Sequence, residues 1–201
     1  MRRLFVLGDS ISVHYGPYLA QMLQGVLEYG RKEPVARPSL ELPYPGDANG
    51  GDSSMVLAYL RERLNELSSD LLLLNCGLHD LRTGPQDEMK QVPPARYRAN
   101  LHEIAQLVRR HRVRTFWVRT TPLDDETHNS RNVGFHRFHQ DVILYNEIAD
   151  AVFERAGVPI IDLYTFTLNL GEGVYCDHVH FATRVRELQA AYIAGSLLAS
   201  V

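Results

Sequence analysis

Cysteine is scarce in this chain. Only Cys76 and Cys176 occur, too few for a disulfide framework, and two free thiols are expected. An excess of one charge is missing too: 21 Lys and Arg stand against 24 Asp and Glu, for a net charge of −3. That balance leaves no basic field for nucleic acid and no basic run for a membrane surface. No apolar stretch nears the roughly 18 residues of a bilayer span, so no stable membrane insertion is expected. Met1-Arg2-Arg3 runs into a short apolar segment with no h-region or cleavage site. If Met1 is the native start, a cytoplasmic location follows. Repeats, low-complexity tracts and linker-like stretches are absent as well. One domain over residues 1–201 is therefore expected, long enough for a sizeable core.

What the chain does have is alternation. Residues 3–7, 71–76, 115–119 and 158–163 read as short buried strands, and 39–42 as a weaker one. Helical stripes lie between them. Residues 13–27 place Leu19, Met22, Leu23, Val26 and Leu27 on one face. Asp52 or Ser53 caps a helix whose face is Val56, Leu60, Leu64 and Leu67. Further stripes run from Tyr97 to Val108 and from Phe138 to Val152, and a last helix covers about 183–198. Residues 83–94 and 123–135 are polar loops. Five such alternations predict an α/β fold: a parallel sheet covered by helices on both faces, with right-handed crossovers. Ligands of such sheets bind outside the carboxyl ends of the strands.

Those ends collect chemistry. Gly8-Asp9-Ser10 follows the first strand and Asn49-Gly50-Gly51-Asp52 the second. Gly77-Leu78-His79-Asp80 follows the third, and Asp177-His178-Val179-His180 precedes the last helix. Ester hydrolysis by serine needs a nucleophile, a base, a carboxylate that orients the base, and N–H donors for the oxyanion. Locally, Ser10 has a second reading as a helix N-cap, and the last loop offers both His178 and His180 as bases.

Over essentially its whole length the chain resembles the GDSL/SGNH hydrolase superfamily. "GDSIS" at 8–12 matches the first block, "NGGDSS" at 49–54 the glycine block, and "DHVH" at 177–180 the last, Asp-x-x-His. The G-x-S-x-G elbow of α/β-hydrolases is absent. The resemblance implies a three-layer α/β/α sandwich, five parallel strands in the flavodoxin-like order, no cofactor, no metal, and an acyl-ester substrate of small-molecule size. It implies Ser10 as nucleophile, His180 as base and Asp177 as its orienting carboxylate. It implies an oxyanion hole of the Ser10 N–H, the Gly51 N–H and the side chain at position 79, with Gly50 a rival for Gly51. Asp9 and Asp80 are expected to brace these loops.

One block departs. The family's third block is Gly-x-Asn-Asp, whose Asn donates to the oxyanion, and here His79 stands in its place. A neutral imidazole has one N–H and a protonated one has two. A donor acting best when protonated would give activity a pH dependence that an Asn would not. The expected activity is a serine esterase working through an acyl-enzyme. The lack of a long apolar stretch for an acyl chain and the polar rim loops favour a short acyl group such as acetyl on a carbohydrate, and Arg82, His128 and Arg131 are candidate contacts to a polar substrate. The alternatives are a lysophospholipase- or thioesterase-type lipolytic hydrolase, an acyltransferase, or a ligand-binding domain without turnover. Asp124, Asp125, Glu126 and His128 show no fixed ligand spacing and read as a solvated loop, not a metal site.

Overall fold

The computed structural model describes residues 1–32, 48–86, 88–131 and 134–200. Five parallel strands form one sheet: β1 (Arg2–Leu7), β2 (Leu27–Arg31), β3 (Leu71–Leu74), β4 (Arg114–Val118) and β5 (Ile160–Ile161). Their order is β2-β1-β3-β4-β5, the flavodoxin-like order. β3 is Leu-Leu-Leu-Leu, with every side chain at most 1% exposed. A strand apolar on both faces must be covered on both faces. Each such leucine contributes about 1.5–3 kcal/mol by leaving water.

The helices are α1 (Ser10–Met22), α2 (Ser53–Arg63), α3 (Pro94–Arg110), α4 (Asp125–Asn129), α5 (His139–Arg155), α6 (Leu163–Leu168) and α7 (Thr183–Leu198). α1 packs on α7, and α6 on α7. The other layer is built by α2 against α3 and α3 against α5. Among the described residues no helix is long and apolar enough to cross a membrane.

Three expectations change. The helix drawn over 13–27 stops at Met22, because Gly25 turns the chain at φ +81° and Leu27 starts β2 opposite Arg2. Leu23 and Leu27 are both buried, one below the helix end and one in the sheet, so their helical spacing is a coincidence. The strand expected at 39–42 lies outside the described residues. The fifth strand shrinks to two residues, because Asp162 accepts from the Thr165 N–H at 3.0 Å and starts α6. The loop expected at 123–135 also contains α4, capped by Asp124 on the Thr127 N–H.

Amide side chains pin the carboxyl edge. Asn75 donates to Val118 O at 2.9 Å, tying the end of β3 to that of β4. Asn146 of α5 accepts from the Thr120 N–H and donates to Thr120 O, both at 2.9 Å. The strand ends are thus tied together where the motif loops leave the sheet.

Candidate active site

Ser10 is the first residue of α1, and its rival reading as N-cap falls to its neighbour. Asp9 is the cap, its side chain accepting from the Ile11 N–H at 3.0 Å. The Ser10 hydroxyl is thus released from capping. It lies 2.9 Å from His180 Nε2. His180 Nδ1 lies 2.7 Å from Asp177 Oδ2. The other carboxylate oxygen of Asp177 accepts from the Val179 and His180 N–H groups at 2.8 and 2.7 Å. Burial alone would raise the Asp177 carboxyl, but these hydrogen bonds and the His180 ring hold it down at about 2.

The fold explains how residues so distant meet. The chain pinches at a narrow neck, with Ala182 N–H on Val174 O and Cys176 N–H on His180 O, both at 2.8 Å. Asp177 to His180 form the tip. α7 follows at once, and its packing on α1 carries the tip to Ser10. His14, one turn along α1 from Ser10, stacks on the face of His180 with ring centroids 4.5 Å apart. Burial and the neighbouring His180 push the His14 pKa down to about 4. His178 takes another direction: its Nδ1 lies 2.8 Å from Nδ1 of the buried His128.

The expected oxyanion side is also assembled, but its Gly51 donor is engaged. Gly51 sits at φ +76°, and a Cβ there would meet Met55 Sδ at 2.4 Å. Both facts favour glycine. Its N–H donates to Asn49 Oδ1 at 2.8 Å, an Asx turn. The rival Gly50 N–H is spent on Gly8 O at 2.8 Å, stitching the second loop to the first. Asn49 Nδ2 lies 3.4 Å from His79 Nε2. Asp80 receives the Ser53 N–H on both oxygens, at 2.9 and 3.0 Å, and so steadies the start of α2 beside Gly51. Burial pushes the Asp80 carboxyl up to about 7 against these bonds. Burial also raises Asp9.

Of the two protonation states left open for His79, its surroundings favour the neutral one. Burial, then the charges of Arg82 and Arg137, push its pKa down to about 3. It is neutral above about pH 4 and carries one N–H. Asn49, His14, Phe135 and Arg137 were not singled out from the sequence. Only Asn49 had a signal, the Asn-Gly-Gly turn. Cys76 is buried and Cys176 exposed, and both are free. Asp125 accepts from the His139 N–H. Among the described residues no three His, Cys, Asp or Glu side chains are grouped to hold a metal.

A family profile described as "GDSL-like Lipase/Acylhydrolase family" matches residues 6–184. A search of curated proteins found no match. Among solved structures, a lipase/acylhydrolase from Enterococcus faecalis superposes with a TM-score of 0.72 at 16% identity, covering 98% of this chain and 95% of its own. An acetylxylan esterase from Geobacillus stearothermophilus gives 0.72 at 14% identity, covering 98% and 94%. An aryl esterase from M. smegmatis gives 0.66 at 15%, covering all of both chains. At such identities the likeness speaks for the fold.

Proposed function

The chain belongs to the GDSL-like lipase/acylhydrolase family and is an ester-hydrolysing enzyme, and from that premise we propose that Ser10 carries the acyl group through a covalent intermediate. The observation that carries this reading is the unbroken row Ser10 Oγ, His180, Asp177, at 2.9 and 2.7 Å.

Ser10 Oγ attacks the ester carbonyl while His180 Nε2 takes its proton. Asp177 keeps the other ring nitrogen protonated and steadies the imidazolium that forms. The tetrahedral oxyanion meets the Ser10 N–H, which as the first of α1 has no carbonyl within the helix to bond. It also meets the Gly51 N–H, once the Asn49 carboxamide turns aside, and the single N–H of neutral His79. His180 then protonates the leaving alcohol, and the same base activates water to release the acid. Asp9 and Asp80 keep the two loops in place without touching the reacting atoms.

The acyl group is short, acetyl on a carbohydrate being the simplest case. The polar residues around the site support this, as does the presence of acetylxylan esterases among proteins of this fold. The test is hydrolysis of 4-nitrophenyl acetate, butyrate and octanoate by wild type and Ser10→Ala. Turnover that falls with chain length and disappears in Ser10→Ala is the expected result. A rate highest on octanoate overturns the short-acyl reading. Turnover that survives Ser10→Ala overturns the nucleophile.

A further inference from the structure

A row of side chains joins the loop of His79 to the loop of His180, and Phe135 is its centre. The Arg82 guanidinium lies 4.5 Å from the Phe135 ring centroid and that of Arg137 4.9 Å. The His128 ring is 5.6 Å from Phe135 and 4.8 Å from the His178 ring. At the other end Arg137 Nε donates to Leu78 O at 2.6 Å, next to His79. Both arginines are near enough for their charge to depress the His79 pKa.

Two cations thus share one aromatic ring close to the loop that carries His79. Neither has a carboxylate within ion-pair distance among the described residues. Arg137 is only 4% exposed, and Arg82 Nε is buried with no hydrogen-bond partner among the described residues. The acids that their charges feel are committed elsewhere. Asp9 caps α1. Asp52 caps α2 through one oxygen and accepts from Gln91 Nε2 through the other. A guanidinium drawn out of water without a counter-ion is costly. The bond to Leu78 O accounts for one nitrogen of Arg137, and among the described residues leaves the rest of that guanidinium and all of Arg82 without a structural acid. Arg119, at the end of β4, shows the compensated case: it pairs with Asp150 through two nitrogens and with Asp162 through the third.

We propose that Arg82 and Arg137 read a negatively charged group on the ester substrate, a carboxylate being the simplest, held beside the scissile carbonyl. The guanidinium fork matches a carboxylate in two parallel hydrogen bonds. Access is open on the Arg82 side, where Arg82, Lys90, Gln91 and Phe135 line a groove of about 360 Å³; Lys90 is already paired with Asp141. Arg82 makes the contact, and the deeper Arg137 supplies field. This substrate class rests on the esterase reading above.

The test separates the two. Ser10→Ala is titrated calorimetrically at low salt and pH 7.5 with monomethyl glutarate, an anionic ester, and with dimethyl glutarate, its neutral partner. The anion is expected to bind at least tenfold more tightly. Adding Arg82→Gln should bring the two within about twofold, and Arg82→Lys should restore part of the difference. Equal affinity, no measurable binding of either, or a preference that survives Arg82→Gln overturns the proposal. Unchanged melting of the half-buried Arg82 variants shows that the fold is intact. Wild-type turnover of 4-nitrophenyl acetate tests the esterase reading by itself, so either can fall while the other stands.

Discussion

On one side of Ser10 each polar group is already bonded to the partner expected of it in attack; on the other, the Gly51 N–H expected to receive the oxyanion is bonded to Asn49 instead. Ser10, His180 and Asp177 form a row at 2.9 and 2.7 Å. The Gly51 N–H is held by Asn49 at 2.8 Å, and Asn49 in turn approaches His79 at 3.4 Å. The difference follows from what each side does. A proton relay must be aligned before the substrate arrives. An oxyanion exists only once attack has begun, and until then the Gly51 N–H is satisfied by Asn49. Exchange is favourable: a neutral hydrogen bond is worth about 1 kcal/mol net, whereas one oxyanion donor supplies about 2.7–4 kcal/mol in the transition state.

Breaking the relay side should have the largest effect. Ser10→Ala is expected to cost about 10⁶-fold in kcat, and adding His180→Ala should cost little more, because the two act as a unit. Steady-state turnover of both variants checks this. Asp177→Asn should cost about 10⁴-fold, since it favours the wrong imidazole tautomer while leaving the row nearly intact. That loss is read from kcat with the fold verified by circular dichroism.

The oxyanion side should yield smaller numbers. His79→Ala is expected to cost about 10²-fold in kcat. His79→Asn should keep the shape of the pH–rate profile between pH 5 and 9, because a group with a pKa of about 3 does not titrate there. A limb of that profile lost in His79→Asn would restore the protonated-donor idea. Asn49→Ala removes the acceptor that competes for the Gly51 N–H, and kcat should rise about fivefold, the worth of one neutral hydrogen bond. A fall in kcat would mean that the Asx turn builds the donor instead of restraining it.

The smallest change should come from the brace behind that side. The folded-state pKa of Asp80, about 7, lies above its ordinary value of 3.8. The folded protein therefore holds this proton more tightly than the unfolded chain. Its contribution to stability is full below about pH 4 and is lost as pH rises through 7. In Asp80→Asn the melting temperature should lose that slope, provided the amide keeps its acceptor on the Ser53 N–H.

The same contrast sets what could be read from sequence. The relay residues sit in short contiguous blocks, so Gly8-Asp9-Ser10 and Asp177 to His180 were legible. So was β3, because four successive leucines can only be buried on both faces. β2 was misread. It is an edge strand of Leu, Glu, Tyr, Gly and Arg with one fully buried residue, and the leucine spacing before it imitates a helix. Phe135, Arg137 and Asn49 matter through partners far along the chain. Asn49 reaches His79 thirty residues on, and Arg137 reaches Leu78 fifty-nine residues back. No local pattern announces such pairs.

The Ser10–His180 bond spans 170 residues, nearly the full chain. Contacts so distant in sequence close late, because the intervening chain must order before their loop-closure entropy is recovered. Ser10 emerges early in synthesis and has no His180 beside it until α7 docks on α1. On the mechanism proposed above, collapse of the central strands alone yields no activity. In refolding, the return of esterase activity therefore times the docking of α7 on α1, and should lag behind the recovery of secondary structure.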